Sequence, residues 1–254
     1  MDQAFESFTS QLARRLDEDP PKRKGDRTRE RLKLAAAQVL EQVGFYAMRV
    51  TDITEAASAS EGTFYIYFED KTDIALAVLH EFLSGVQDTG PAHSTERKTL
   101  FSTVRDANMR WIGIVRANAG LMRCVFQMSD DDPAFSQLVH SYNRAWYERI
   151  ARSVVRHHAP QKIEFTTALF TAWALGAMMD ELMRRMVIYP DESFVAFLGA
   201  VAPDDDALAD ALTVIWFRVL YPASELPSEL DGLARALAEF VHIPDATRRR
   251  SRLS

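Results

Sequence analysis

Residues 27–74 read RTRERLKLAAAQVLEQVGFYAMRVTDITEAASASEGTFYIYFEDKTDI, and the spacing of their apolar side chains decides the fold. Leu32, Ala35, Ala36, Val39, Leu40 and Val43 recur at three- and four-residue steps and so share one face of a helix. Gly44 ends that helix, because glycine takes the left-handed backbone of a helix terminus without a steric penalty. Val50, Ile53, Ala56 and Ala57 supply the buried side of a second, shorter helix running to about Ser58, with Asp52 in the first turn where the dipole favours a negative charge. After Ser58, Ala59 and Ser60 a third helix covers residues 61–68, and Asp70 and Thr72 open a fourth. Two short helices joined by a tight turn and braced by a longer one form a helix-turn-helix unit.

The third helix carries the chemistry. Phe64 and Phe68, four apart, face the core, which leaves Thr63, Tyr65, Ile66 and Tyr67 to point elsewhere, with Lys71 opening the next helix. A phenol is flat and ends in a hydroxyl, so it can lie against a sugar and hydrogen-bond a phosphate oxygen, and a lysine supplies the charge that phosphate attracts. That combination predicts a DNA-facing helix.

The run Gly44-Phe45, Val50, Asp52-Ile53, Ala57, Ser60, Gly62-Thr63-Phe64-Tyr65, Tyr67-Phe68 and Lys71 resembles the N-terminal signature of the tetracycline-repressor (TetR) family of transcriptional regulators. The resemblance implies an all-α homodimer: an N-terminal three-helix DNA reader, then a helical body that dimerises and holds a small-molecule inducer. It also implies that Thr63, Tyr65, Tyr67 and Lys71 contact the operator, mostly at phosphates. Three positions depart from the pattern. Ser58 stands where glycine is usual in the turn, and a left-handed serine costs roughly 1–2 kcal/mol. Arg49 replaces a capping threonine or serine, at a cost of about 1 kcal/mol, and is free to reach a phosphate instead. Glu61 opens the third helix, where a carboxylate is repelled by phosphate unless it meets a cytosine amino group.

The chain of 254 residues with 47% hydrophobic side chains suits a small domain joined to a larger one. Its formal net charge of −6 does not exclude a DNA binder, because the charge that matters is local. Lys22, Arg23, Lys24, Arg27, Arg29, Arg31 and Lys33 face only Asp26 and Glu30 between residues 22 and 33. Lys22 to Lys24 read either as a flexible basic arm able to follow the DNA backbone or enter the minor groove, or as a solvated charge run. The candidate DNA-contact set is therefore Lys22, Arg23, Lys24, Arg27, Arg49, Ser60, Glu61, Thr63, Tyr65, Tyr67 and Lys71. One cysteine, Cys124, excludes an intrachain disulfide and a cysteine-built zinc site and suggests a reducing compartment. Asp2 and Glu6 sit where a signal peptide would be positive, and no stretch has 18 uninterrupted apolar residues, so a cytoplasmic, membrane-free protein is expected.

The expected organisation is an N-terminal extension (1–21), the helix-turn-helix unit (22–71), a helical body (72–243) and a basic tail (244–254) with Arg248, Arg249, Arg250 and Arg252. Phe5, Phe8, Leu12 and Leu16 make the extension amphipathic, packed on the protein's own surface, left disordered or docked on a partner. A fourth helix over 72–86 leads through a loop at 87–95 into body helices at 96–118, 121–128, 133–158, 162–187, 192–201, 205–220 and 228–242, punctuated by Pro133, Pro160, Pro190, Pro203 and Pro222. Residues 165–187 are apolar on more than one face. One side meets its own domain, and the resemblance sets the other against a second subunit together with residues 205–220, an isologous four-helix bundle. A ligand that tilts the fourth helix would change the separation of two recognition helices whose half-sites lie about 34–36 Å apart.

Trp111, Met122, Phe126, Tyr142, Trp146 and Trp173 offer an adaptable apolar surface for a small hydrophobic inducer, with Arg123, Asn108, Asn143 and Asp180 as polar residues able to orient it. A di-iron bundle enzyme needs two Glu-x-x-His pairs, and the chain has one, Glu239 with His242. The His157-His158 doublet diverges on a helix, and no phosphate loop, nucleophile elbow or zinc-spaced cluster is present, so neither enzyme, metal nor cofactor is expected. The reading is a repressor that occupies a palindromic operator as a homodimer and leaves it on binding ligand. Its rivals are a helical adaptor without operator binding and a helical-bundle enzyme.

Overall fold

A computed structural model describes residues 5–88, 99–159 and 162–240. The arginine tail, His242, residues 89–95 of the loop expected at 87–95 and the start of the helix expected from residue 96 lie outside the described residues. Among those described there are α-helices, one π-helical turn and no strand: α1 (Phe8–Glu18), α2 (Lys24–Ala47), α3 (Val50–Ala56), α4 (Glu61–Tyr67), α5 (Lys71–Asp88), α6 (Leu100–Ala117), α7 (Ala119–Asp131), α8 (Pro133–His157), α9 (Phe165–Met183), the π-turn Arg184–Ile188, α10 (Glu192–Val201), α11 (Asp205–Leu220) and α12 (Gly232–Phe240).

The reader (α2–α5) forms around Leu32, Ala36, Leu40, Ile53, Phe64, Ile74, Val78 and Leu79, all with no exposed surface. Gly44 breaks α2 with φ +78°, as its place in the sequence predicts. Val43, 49% exposed, and Ala56 fall outside the packed face to which the periodicity assigned them. Helix starts are closed by side chains, which satisfy backbone N–H groups that have no partner within a helix. The Asp52 carboxylate accepts the Arg49 N–H (2.9 Å), and Asp70 accepts from Thr72 and Asp73 (2.7 and 2.9 Å).

In the body, Asp132 before Pro133 caps α8, Asp191 caps α10 and Asp204 caps α11. Helix α8 packs along α9, and α11 lies between α6 and α12. Leu208, Leu212, Trp216 and Leu220 of α11 are buried within their own chain, leaving Val219 exposed. Helix α9 matches the two-faced expectation: Ala168, Leu175, Met179 and Met183 are buried, while Phe170 is 75% exposed. Helix α10, with sequence ESFVAFLGAV, has no buried residue.

Within the described part of the extension, Phe8–Glu18 form a helix packed on the protein's own surface. Phe8 and Leu12 are buried, and the Phe8 ring meets Phe82 of α5 edge-on at 5.5 Å.

Candidate nucleic-acid interface

The shortness of α4, seven residues, means that its outward face is set entirely by its caps and anchors. Ser60 closes its N-terminus: the hydroxyl accepts the Thr63 N–H (3.1 Å) and pairs with the Thr63 hydroxyl (2.9 Å). The turn before it holds Ser58 at φ +49°, the left-handed backbone expected there. Phe64 and Phe68 are 0% and 3% exposed, with rings 5.9 Å apart, and the Arg29 guanidinium covers Phe68 at 5.1 Å. Rotation of α4 about its axis is thereby fixed. Tyr65 (57% exposed) and Ile66 (74%) project into solvent, and exposed Gly62 leaves the surface beside them flat.

Tyr67 behaves differently. It is half-buried, and its hydroxyl lies 3.4 Å from where a side chain at Gly25 would begin. The far end of α4 therefore touches the start of α2, and brings Lys22, Arg23, Lys24 and Arg27, all exposed, next to the aromatic edge. The basic segment is less free than a loose arm. Lys24 and Arg27 belong to the first turn of α2, Asp26 stabilises that turn, and Arg27 hydrogen-bonds the carbonyls of Pro21 and Lys22 (3.3 and 3.4 Å). Arg49 and Glu61 are exposed at the starts of α3 and α4.

Lys71 has a role that its position at a helix start conceals. Its ammonium donates to the carbonyls of Phe45 (3.3 Å), Tyr46 (3.3 Å) and Met48 (3.2 Å) and sits 5.0 Å over the Phe45 ring. Three donors meet three acceptors, so the cation closes the segment after Gly44 and ties α5 to α2.

The reader is joined to the body along α2 and α7. Both Glu41 carboxylate oxygens accept N–H groups from the first turn of α7, Gly120 and Leu121, at 2.8 Å each. Gly120 allows this approach: a Cβ there would lie 2.1 Å from the Glu41 carbonyl oxygen. Along the same seam the Cys124 thiol donates to the Leu40 carbonyl (3.6 Å), and burial pushes that thiol up to about 11. The Phe45 N–H reaches Gln127 (3.4 Å) and the Tyr46 hydroxyl donates to Asp131 (2.8 Å). Helix α5, the fourth helix of the sequence reading, also packs on α7 and α8, while Glu41 was missed because a glutamate at that position of a helix reads as a solvated residue.

The six candidate pocket residues have different neighbours in the body. Trp173 packs on Tyr147 (4.5 Å), Tyr142 meets His80 of α5 (6.3 Å), and Trp146 lies under Arg149 (5.2 Å). Met122 is buried and Phe126 half-buried in the core, and the Trp111 indole N–H is buried without an acceptor. A cleft of about 440 Å³ lies between α1 and α2, lined by charged residues including Arg15, Glu30 and Lys33. Of the candidate ligand-orienting residues, Asn108 is satisfied by Thr213 (3.0 Å). Burial raises Asp180 to about 6, opposed by a hydrogen bond from Tyr147. No group of three or more metal-capable side chains occurs among the described residues, and no described helix is long and apolar enough to cross a membrane.

Residues 34–78 match the family described as "Bacterial regulatory proteins, tetR family". The HTH-type transcriptional regulator YdgC of Bacillus subtilis is 26% identical over 117 residues, 46% of this chain and 55% of that protein. The HTH-type transcriptional repressor DhaR of a Mycobacterium species is 35% identical over 81 residues, 32% of this chain and 36% of its own. The matched regions thus span about half and about a third of these two relatives. A solved TetR-family transcriptional regulator from Mesorhizobium loti superposes with a TM-score of 0.58 at 18% identity, covering 78% of this chain and 98% of that one.

Proposed function

We propose, for a chain that is a TetR-family transcriptional regulator and so belongs to a family of regulators rather than enzymes, that it binds a palindromic operator as a homodimer, represses by occupying it, and leaves it on binding a small hydrophobic ligand. The single observation that carries the reading is the outward edge of α4, where Tyr65 and Ile66 are exposed on a helix whose other face is anchored in the core. Ser60, Thr63 and Tyr65 are assigned to phosphates and sugars, with Tyr67 and the start of α2 (Lys22, Arg23, Lys24, Arg27) extending the contact along the backbone. Arg49 takes a neighbouring phosphate, and Glu61 is aimed at a base edge. Lys71 acts from behind, holding the end of α2 against α5. The exposed face of α9 is the surface assigned to the second chain, and the unpaired indole N–H of Trp111 supports a ligand in the body.

The test is retention of DNA fragments by the purified chain, followed by titration of a retained duplex at several salt concentrations. Binding of two chains per duplex, lost steeply as salt rises, is the expected result. Tyr65→Phe should weaken binding and leave thermal stability unchanged; a stable chain that retains no duplex at low salt would favour an adaptor instead.

A further inference from the structure

Helix α1 precedes the matched family region, yet it touches both parts of the molecule. On the reader side, the Phe8 ring meets Phe82, and Arg15 reaches Glu30 of α2 (3.2 Å) and Glu81 of α5. Behind it Lys33, only 7% exposed, bonds the same two carboxylates. Burial pushes the Glu81 carboxyl up, but hydrogen bonds from Lys33 and Arg15 outweigh this and hold it below the ordinary value. Without Arg15, Glu81 would keep Lys33 as its partner in the cluster, and Glu30 would keep Lys33 and a longer contact to Arg29 (3.8 Å). On the body side, the Phe8 N–H donates to the buried Asn118 side chain (2.7 Å), which in turn donates to the Ile114 carbonyl (2.9 Å). The Phe5 ring covers Gly113 so closely that a methyl group there would lie 1.9 Å from it.

We infer that α1 is an intramolecular strap that positions the reader on the body for operator binding; this rests on the operator reading above. The α2–α7 seam holds α2 near Leu40 and Glu41, and α1 holds it near Glu30 and Lys33, seven to eleven residues away. Those attachments are about 10–16 Å apart along the helix, so together they resist a tilt that either alone would permit. At its other end α1 runs through Asp19-Pro20-Pro21 into the basic start of α2, beside Tyr67.

Two variants test this: deletion of residues 1–19, and Phe8→Ala combined with Arg15→Gln, which keeps the chain whole should the truncation fail to fold. The probe is a duplex selected by the unmodified chain from a random pool. Its affinity should fall on the order of tenfold to a hundredfold, because both readers of a dimer no longer meet their half-sites together. The salt slope should stay unchanged. In parallel, nitroxides at Glu55→Cys in α3 and Arg156→Cys in α8, with labelled chain diluted into unlabelled chain, should show a distance distribution that broadens in the variants. A slope reduced by one or more would place α1 on the phosphates and overturn the strap, as would unchanged affinity and an unchanged distribution. If the unmodified chain selects no duplex, the operator reading fails, while the nitroxide distances still decide whether α1 positions the reader.

Discussion

The reader and the body are both bundles of capped helices, yet they place their polar groups differently. In the reader, Ser60, Asp52, Asp70 and Lys71 close helix ends, and the outer edge of α4 stays open. In the body, polar groups pair with one another inside: Asn108 with Thr213, His158 with the Leu220 carbonyl (2.6 Å), Tyr147 with Asp180. A reader must present one edge at one angle to a partner of fixed geometry, so residue types recur at fixed spacing. A body that answers mainly to its own packing has many solutions, and its pairs are separated by scores of residues.

The largest test of this contrast is at the seam. Gly120→Ala puts a methyl group into the Glu41 backbone, which cannot swing aside as a side chain would, and should cost about 3 kcal/mol or more in chemical denaturation. A loss below 1 kcal/mol would mean that reader and body are only loosely joined.

Next comes the buried acid of the body. Burial raises Asp180 from 3.8 to about 6, so its contribution to stability is whole below pH 3.8 and is lost as pH rises through about 6. Asp180→Asn should match the parent at low pH and exceed it by roughly 2 kcal/mol above pH 7, read from thermal melts across pH. Parallel melting curves for the two chains would show that Asp180 is solvated.

A smaller effect belongs to Lys71→Ala, which leaves three carbonyls without their charged donor. We expect a loss of about 1–2 kcal/mol in reader stability with the salt slope of DNA binding unchanged. A slope reduced by one unit with stability intact would return Lys71 to the phosphate-contacting set. Smallest is Ser58→Gly, which relieves the positive φ and should stabilise the chain by about 0.5–1 kcal/mol in a thermal melt.

The same contrast explains what could be read from sequence. Gly44, Phe64 and Phe68 behave as their spacing implies, and Ser58 as the family resemblance implies, because each acts on its own turn of chain. Helix α10 occupies the residues that Pro190 and Pro203 bracket, and α11 begins and ends where expected. That α11 is covered by α6 and α12 was not legible: an apolar stripe states that something covers it and not whether the cover comes from the same chain. Lys71 illustrates the same limit inside the reader. Its acceptors lie 23 to 26 positions earlier, a relation that no local pattern carries. Residue type alone does not say which of the large apolar side chains of the body would meet a ligand, since each can find a separate neighbour.

The sole cysteine gives the seam a built-in reporter. Cys124 of α7 has no exposed surface and its thiol faces the Leu40 carbonyl of α2, the first helix of the reader, so a thiol reagent can react with it only after α2 and α7 part. The labelling rate of the unaltered chain then measures how often the two halves separate, and any compound that changes that rate identifies itself as a ligand without an operator in hand.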